Sequence, residues 1–276
     1  METIKTVAAI NDMAGFSRCS LTVAIPILTA MGTHCCPLPT AILSNHTGYE
    51  SFFFDDYTSR MEAYFAQWAA ADMRFDCIYT GFLGSLHQIS IVEAFIQRFR
   101  EEDTLVVVDP VMGDDGKIYS TYTQEMCARM RDLISRADVV TPNVTEACEL
   151  CGQPYTGEEI PLSLAQSMCE RIAKMGCKDV VITGIRTNGM VSTYSFDHQT
   201  GRGTVASTDA VPVYYSGTGD VFASVLCGAL TNGADLAGAV RTASTFVERA
   251  VRSSRLLGIA PEAGVAIETC LGDLVK

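Results

Sequence analysis

Short apolar runs alternate with longer segments of helical period along most of the chain. Residues 6–11 (TVAAIN), 76–80, 104–109 (TLVVVD), 138–141 and 179–183 are brief and apolar, and polar residues bound them. That is the pattern of strands buried on both faces, and residues 37–43 read as a further strand. Helix-length segments lie at 19–31, 55–70, 88–100, 123–135 and 164–175. In 88–100, Val92, Phe95, Ile96 and Phe99 share one helical face, opposite Glu93, Gln97 and Arg100. This alternation predicts an α/β fold with a mainly parallel central sheet and helices on both faces. Residues 190–196 and 203–207 are β-rich and closely spaced, which predicts antiparallel strands at one edge. Helices at 218–231 and 236–254 close the chain. No linker, repeat or low-complexity tract interrupts the 276 residues, so a single domain is expected.

In such sheets, ligands bind beyond the carboxyl ends of the strands. The polar residues that follow the expected strands are therefore the candidates: Asn11, residues 44–47, 81–84, 109–114, 141–146 and 183–184. Neither a P-loop nor a strand-linked G-x-G-x-x-G is present. A phosphate site has to be built otherwise, and residues 216–220 (SGTGD) supply the parts. Glycines ahead of an apolar helix let backbone amides converge at its positive end. Asp220 opens that helix, and its carboxylate can take a proton from a hydroxyl. The plain alternative is an acid that favours a first helical turn, next to a glycine loop.

Charge narrows the partners. With 20 Lys+Arg against 32 Asp+Glu, the formal net charge is -12. Neutralising nucleic-acid or anionic-membrane phosphates requires the opposite balance, so neither partner is expected. No apolar run approaches a membrane span. Eleven cysteines are scattered, often within apolar segments, and no secretory signal is visible. Reduced thiols in a cytoplasmic protein are the expectation. Cys148 and Cys151 have C-x-x-C spacing and Cys35 and Cys36 are adjacent, but neither pair has the second pair or histidines that a zinc site needs.

Several separated motifs, in one order, carry a family resemblance. Residues 217–224 (GTGDVFAS) resemble the anion-hole and base motif of the ribokinase superfamily. Residues 109–119 (DPVMGDDGKIY) and 141–150 (TPNVTEACEL) resemble its metal and nucleotide segments. Residues 44–49 (SNHTGY), joined to 81–85 (GFLGS), are similar to the pyridoxal kinase branch. The resemblance implies a ribokinase-like fold and ATP-dependent phosphorylation of the hydroxymethyl group of a B6 vitamer: pyridoxal, pyridoxine or pyridoxamine.

It also implies roles. Asp220 would be the base, and Gly217, Thr218 and Gly219 would stabilise the transferring phosphoryl group. Asp109 and Asp114 would lie near the phosphates and their cations. Asn143 and Glu146 would organise Mg²⁺, largely through water. Thr141 and Thr183 would face the nucleotide, and Tyr119, within a flexible segment 113–120, would close over it. Asn11, Ser44, His46, Thr47 and Phe82 would meet the vitamer. The family commonly carries Ser at the place of Asn11 and Tyr at that of Phe82, which leaves vitamer preference open. For Glu146 a first-turn acid, and for His46 a loop-holding histidine, are the plain alternatives. A homodimer is implied, and a monovalent-cation requirement stays open. Two rival readings remain: a hydroxymethylpyrimidine kinase, which commonly has Cys where this chain has Asp220, and a catalytically idle vitamer-binding regulatory protein.

Overall fold

The computed structural model describes residues 3–275. Its first half runs β1 (Thr6–Ala14), α1 (Ser20–Ala30), β2 (His34–Leu43), β3 (Phe54–Asp56), α2 (Thr58–Ala70), β4 (Cys77–Thr80), α3 (Leu86–Phe99) and β5 (Leu105–Val108). A hairpin of β6 (Gly113–Asp114) and β7 (Lys117–Ile118) follows, then α4 (Gln124–Ile134), β8 (Val139–Val140), α5 (Val144–Cys151) and α6 (Leu162–Ala173). The chain continues through β9 (Asp179–Thr187), β10 (Met190–Asp197), β11 (Arg202–Asp209), α7 (Thr218–Thr231) and α8 (Leu236–Leu256).

Nine strands make one sheet in the order β11-β10-β9-β8-β5-β4-β1-β2-β3. Its six central strands are parallel neighbours, so their carboxyl ends share one rim. Alternation along β1 shows how both faces are filled. Val7 and Ala9 pack beneath α1, α7 and α8, while Ala8 and Ile10 pack beneath α2 to α6. The second core is rich in aromatic rings. Phe65, Trp68, Phe75, Phe95 and Phe99 meet mostly edge-on or tilted, and Phe95 and Phe99 lie 4.5 Å apart between centroids.

The structure departs from the sequence pattern in several places. Antiparallel pairing occurs at both edges rather than one: β10 and β11 extend β9, and β3 pairs with the end of β2. The segment expected as a helix from residue 55 begins with that short strand. Asp56 Oδ1 accepts the Thr58 backbone N–H at 2.8 Å, which breaks the chain direction and lets α2 start at Thr58. The segment expected to be flexible, 113–120, holds the β6–β7 hairpin. Asp115 and Gly116 take φ +47 and +73, a two-residue turn for which Asp-Gly is the usual sequence. β1 runs to Ala14, so Asn11 sits inside the strand, and Thr183 likewise sits inside β9.

All eleven cysteines are free thiols, and Cys148 and Cys151 are buried on α5, against α6 in the case of Cys151. None of the described helices is long and apolar enough to cross a membrane. Phe95 is fully buried at the centre of the aromatic cluster. Truncation there leaves a cavity that the rigid neighbours cannot fill, so Phe95→Ala should cost about 3–5 kcal/mol of unfolding free energy. Urea or guanidinium titration of the two proteins measures this; a cost below about 1 kcal/mol would contradict the packing described.

Candidate active site

At the common rim, the N-terminal ends of α1, α5 and α7 and the loops after β2, β4 and β11 surround one cavity of about 620 Å³. Pockets of this size hold one or more small molecules. Every residue given a role by the family resemblance lines it except Asn11 and Ser44.

The N-terminus of α7 forms the floor. Gly217 adopts φ +78, and a Cβ there would stand 2.2 Å from the Arg18 carbonyl oxygen. Only glycine satisfies both the conformation and the approach. Gly219, in contrast, has open space where a Cβ would go. The first amides of α7 are thus directed at the cavity with no side chain in front of them, an arrangement suited to an oxyanion.

Asp220 sits in the first turn of α7, and its Oδ1 accepts the Asn11 Nδ2–H at 3.2 Å. Burial raises the Asp220 carboxyl above its ordinary range, and the Ser20 backbone N–H and the Asn11 amide draw it partly back. Asn11 is fully buried, with its Oδ1 accepting the backbone N–H of Phe82 at 2.8 Å and of Asp12 at 2.9 Å. The glycine at 81 is needed for this contact, because a Cβ would stand 2.2 Å from Asn11 Nδ2. Asn11 therefore ties Asp220 to the β4 exit, and it is not part of the cavity lining. Ser44 is also spent on its own loop: its hydroxyl donates to Asn45 Oδ1 and accepts the Phe53 N–H.

His46 holds its loop and also borders the cavity. Its Nδ1 accepts the Gly48 N–H at 3.0 Å, so Nε2 is the donor to the Glu262 carbonyl at 2.7 Å, and the ring still lines the cavity. Thr47 and Phe82 line the same side.

Across the cavity, α5 opens with a capping box. Asn143 Oδ1 accepts the Glu146 N–H, and Glu146 Oε2 accepts the Asn143 N–H, both at 2.9 Å. Glu146 Oε1 accepts the Met112 N–H at 3.1 Å, and Asn143 Nδ2 donates to the Gly113 carbonyl at 2.8 Å. One reciprocal cap thus ties α5 to the β6–β7 hairpin. Asp109, just past β5, accepts the Thr141 hydroxyl at 2.8 Å. Burial, with the Asp220 charge adding to it, pushes the Asp109 carboxyl up to about 7. Burial and the Asp109 charge raise Glu146 well above the ordinary carboxylate range. Thr183 bridges to Asn143, and Asp114 on the hairpin accepts the Tyr214 hydroxyl from the loop after β11. Tyr119 lines this end too.

Eight carboxylates and a single arginine line the cavity, and that arginine, Arg186, is paired with Glu158. Glu248 and Asp209 meet Arg252, and among the described residues the other five acids, Asp12, Asp109, Asp114, Glu146 and Asp220, have no cationic partner; uncompensated acids of this kind fit a divalent cation. Among the described residues, no three carboxylate, imidazole or thiol side chains converge tightly enough to cage a metal. A hydrated Mg²⁺, which keeps its waters and also binds phosphate oxygens, suits such a donor set.

Three features of the site were not legible from the motifs. Asp12 lines the cavity, although a carboxylate directly after an apolar run is a signal that points to it. Cys19 and Ser20, at the start of α1, close the cavity beside Asp12. Val191, Val211, Val213, Val247 and Val251 build an apolar shelf from β10, the loop after β11 and α8, and no short motif joins them.

The chain is similar to known proteins along nearly its whole length. A family model described as phosphomethylpyrimidine kinase matches residues 25–263. A pyridoxine/pyridoxal/pyridoxamine kinase of Bordetella avium (strain 197N) is 29% identical over 267 residues, covering 91% of this chain and 86% of that protein. A Bacteroides thetaiotaomicron VPI-5482 protein, named for phosphomethylpyrimidine kinase and solved with pyridoxal, is 39% identical with a TM-score of 0.93, covering 99% of this chain and 96% of its own. The pyridoxal kinase of Lactobacillus plantarum is 30% identical with a TM-score of 0.90, covering 99% and 97%.

The two floor glycines should respond differently to alanine. Gly217→Ala forces strained backbone against the Arg18 carbonyl and should cost more than about 1 kcal/mol of stability. Gly219→Ala meets no neighbour and should leave stability unchanged or raised, since alanine favours a helix. Thermal melts of both variants distinguish them; equal melting temperatures would contradict the floor geometry.

Proposed function

The chain belongs to the phosphomethylpyrimidine kinase family of ribokinase-like proteins, with pyridoxal kinases among its relatives, and on that premise we propose that it transfers the γ-phosphoryl group of ATP to the hydroxymethyl oxygen of a B6 vitamer. What supports this above all is the meeting of Asp220, the open amide end of α7 and the Asp109–Glu146 side in one cavity. The 39%-identical protein solved with pyridoxal supports the choice of ring.

Asp220 accepts the substrate hydroxyl proton while the oxygen attacks the γ-phosphorus. The new O–P bond forms as the bond to the β-phosphate oxygen breaks, and ADP leaves with that electron pair. Asn11 and the Ser20 N–H hold the Asp220 carboxylate for this step. The amides of Gly217, Thr218 and Gly219 face the equatorial oxygens, where charge is spread in the transition state. Asp109, Asp114, Asn143 and Glu146 would hold a hydrated Mg²⁺. When bound, the ion neutralises phosphate charge. Glu146 acts through water, because backbone N–H groups occupy both of its oxygens.

Thr141, Thr183 and Tyr119 attend the phosphates, and the valine shelf takes the apolar face of the base. The β6–β7 hairpin, tied to Tyr214 through Asp114, excludes water above them. His46, Thr47 and Phe82 enclose the vitamer ring, with Ser44 shaping their loop. Homodimeric assembly and a cytoplasmic setting for the free thiols complete the proposal.

A second reading, phosphorylation of a hydroxymethylpyrimidine, is favoured by the description of the matching family. Purified protein with ATP and Mg²⁺, offered pyridoxal, pyridoxine, pyridoxamine and hydroxymethylpyrimidine in turn, decides between them. Phosphorylation of at least one vitamer is expected. Product from the pyrimidine alone would transfer the assignment to that substrate, and no product at all would support an idle vitamer-binding protein.

A further inference from the structure

Asp12 lies where the β1 ladder breaks. Strict alternation carries Val7 and Ala9 to the α7 face and Ala8 and Ile10 to the other, so it carries Asn11 to the α7 face and would turn residue 12 away from it. The pairing of β1 with β2 shifts between Asn11 and Met13, with the extra residue on β2, between Pro39 and Ile42. Met13 returns to the α7 face. At this irregularity the carboxylate of Asp12 stands beside the start of α1, where the Ser20 hydroxyl donates to Oδ1 at 2.5 Å. Ser20 is itself held at φ +52, in the left-handed region that an L residue enters only when its surroundings require it.

The acid has no counter-charge. Asp12 is 6% exposed and lines the cavity next to Asp220. Among the described residues, Ser20 alone donates to it, apart from the acid's own peptide N–H. The one arginine of the cavity is paired with Glu158, and His46 commits its Nε2–H to the Glu262 carbonyl. Burial accordingly pushes the Asp12 carboxyl up to about 7, with the Asp220 charge adding to the rise. Buried carboxylates are normally satisfied by donors on both oxygens. Asp12 has unused acceptor capacity at the substrate end of the site.

We propose that Asp12 is a specificity-determining residue, whose unpaired oxygen accepts a hydrogen bond from a cationic or N–H-bearing substituent of the ring substrate. The proposal rests on the reading that the site takes a B6 vitamer. It ranks the vitamers by the group at their variable position. The aminomethyl group of pyridoxamine offers a cation, the hydroxymethyl group of pyridoxine a neutral donor, and the aldehyde of pyridoxal only an acceptor. A carboxylate favours them in that order. A purely structural Asp12, serving only to hold Ser20 and the start of α1, favours none.

Affinities of the three vitamers, measured by calorimetry at pH 8 without ATP, test this in the wild type and in Asp12→Asn. Asparagine keeps the shape and an acceptor for the Ser20 hydroxyl but removes the charge. The pyridoxamine affinity should fall about 10-fold or more relative to that of pyridoxal, the effect of losing a charge-assisted hydrogen bond. Ser20→Ala, which removes the hydroxyl but not the acid, should lower the melting temperature and leave the ratio within about 2-fold. Equal weakening of all three vitamers in Asp12→Asn, or an unchanged ratio, overturns the proposal. Should that variant not fold, the wild type alone decides: tighter binding of pyridoxal than of pyridoxamine overturns the proposal equally. Failure of the wild type to phosphorylate any vitamer would sink the kinase reading, whereas these affinity ratios bear on Asp12 without any turnover.

Discussion

The approach of Gly217 to the Arg18 carbonyl, where a Cβ would come within 2.2 Å, sets the position of α7 relative to β1 and α1. Asp220 is three residues further on, so its reach to Asn11 and to the Ser20 N–H follows from that docking. The far side of Arg18 is held just as firmly. Its guanidinium meets Glu268 at 2.8 Å and the Ala263 carbonyl at 3.2 Å, and Gly264 packs on its backbone. Glu262 also receives the His46 Nε2–H. The short turns after α8 therefore clamp the loops that surround the base, although none of their residues enters the chemistry.

Electrostatics impose the second constraint. Asp12, Asp109, Glu146 and Asp220 all have carboxyls raised by burial, and one paired arginine is the cavity's basic side chain besides His46. A carboxyl raised in the fold binds protons more tightly folded than unfolded. Such groups therefore oppose folding as pH rises from the usual carboxylate range towards about 7. A cation bound among them would relieve this cost. On the proposed function, amides and that cation would supply the positive potential for a polyanionic nucleotide in place of lysines, on a chain of net charge -12.

Much of this was legible in the sequence. Strands buried on both faces announce themselves as continuous apolar runs, and the parallel sheet with its active rim follows from their alternation with helices. The segment around Asp220 stood out because glycines ahead of an apolar helix leave its first amides bare. Asn11 was visible as a polar residue at a strand end, but its role was not. Whether such an amide faces a ligand or holds a neighbour depends on Asp220 and Phe82, distant in sequence. The contact of Asp12 with Ser20 leaves no mark in the hydrophobic pattern, because it joins the end of β1 to the start of α1 only in the fold. β3 was missed because three residues are too few for any periodicity. The valine shelf, gathered from three separate elements, is a product of the fold alone.

The central claim is that Asp220 removes the hydroxyl proton on a floor of amides that binds phosphate without it. Single-turnover phosphoryl transfer by Asp220→Asn, on folded protein saturated with ATP and vitamer, tests this with product release set aside. Asparagine keeps the size and a hydrogen-bond acceptor for Asn11. The account predicts a rate lowered by about 10² to 10⁴, with ATP affinity and melting temperature little changed. Near-wild-type transfer, above all if accompanied by a loss of stability, would contradict it and leave Asp220 as a structural acid of the first helical turn.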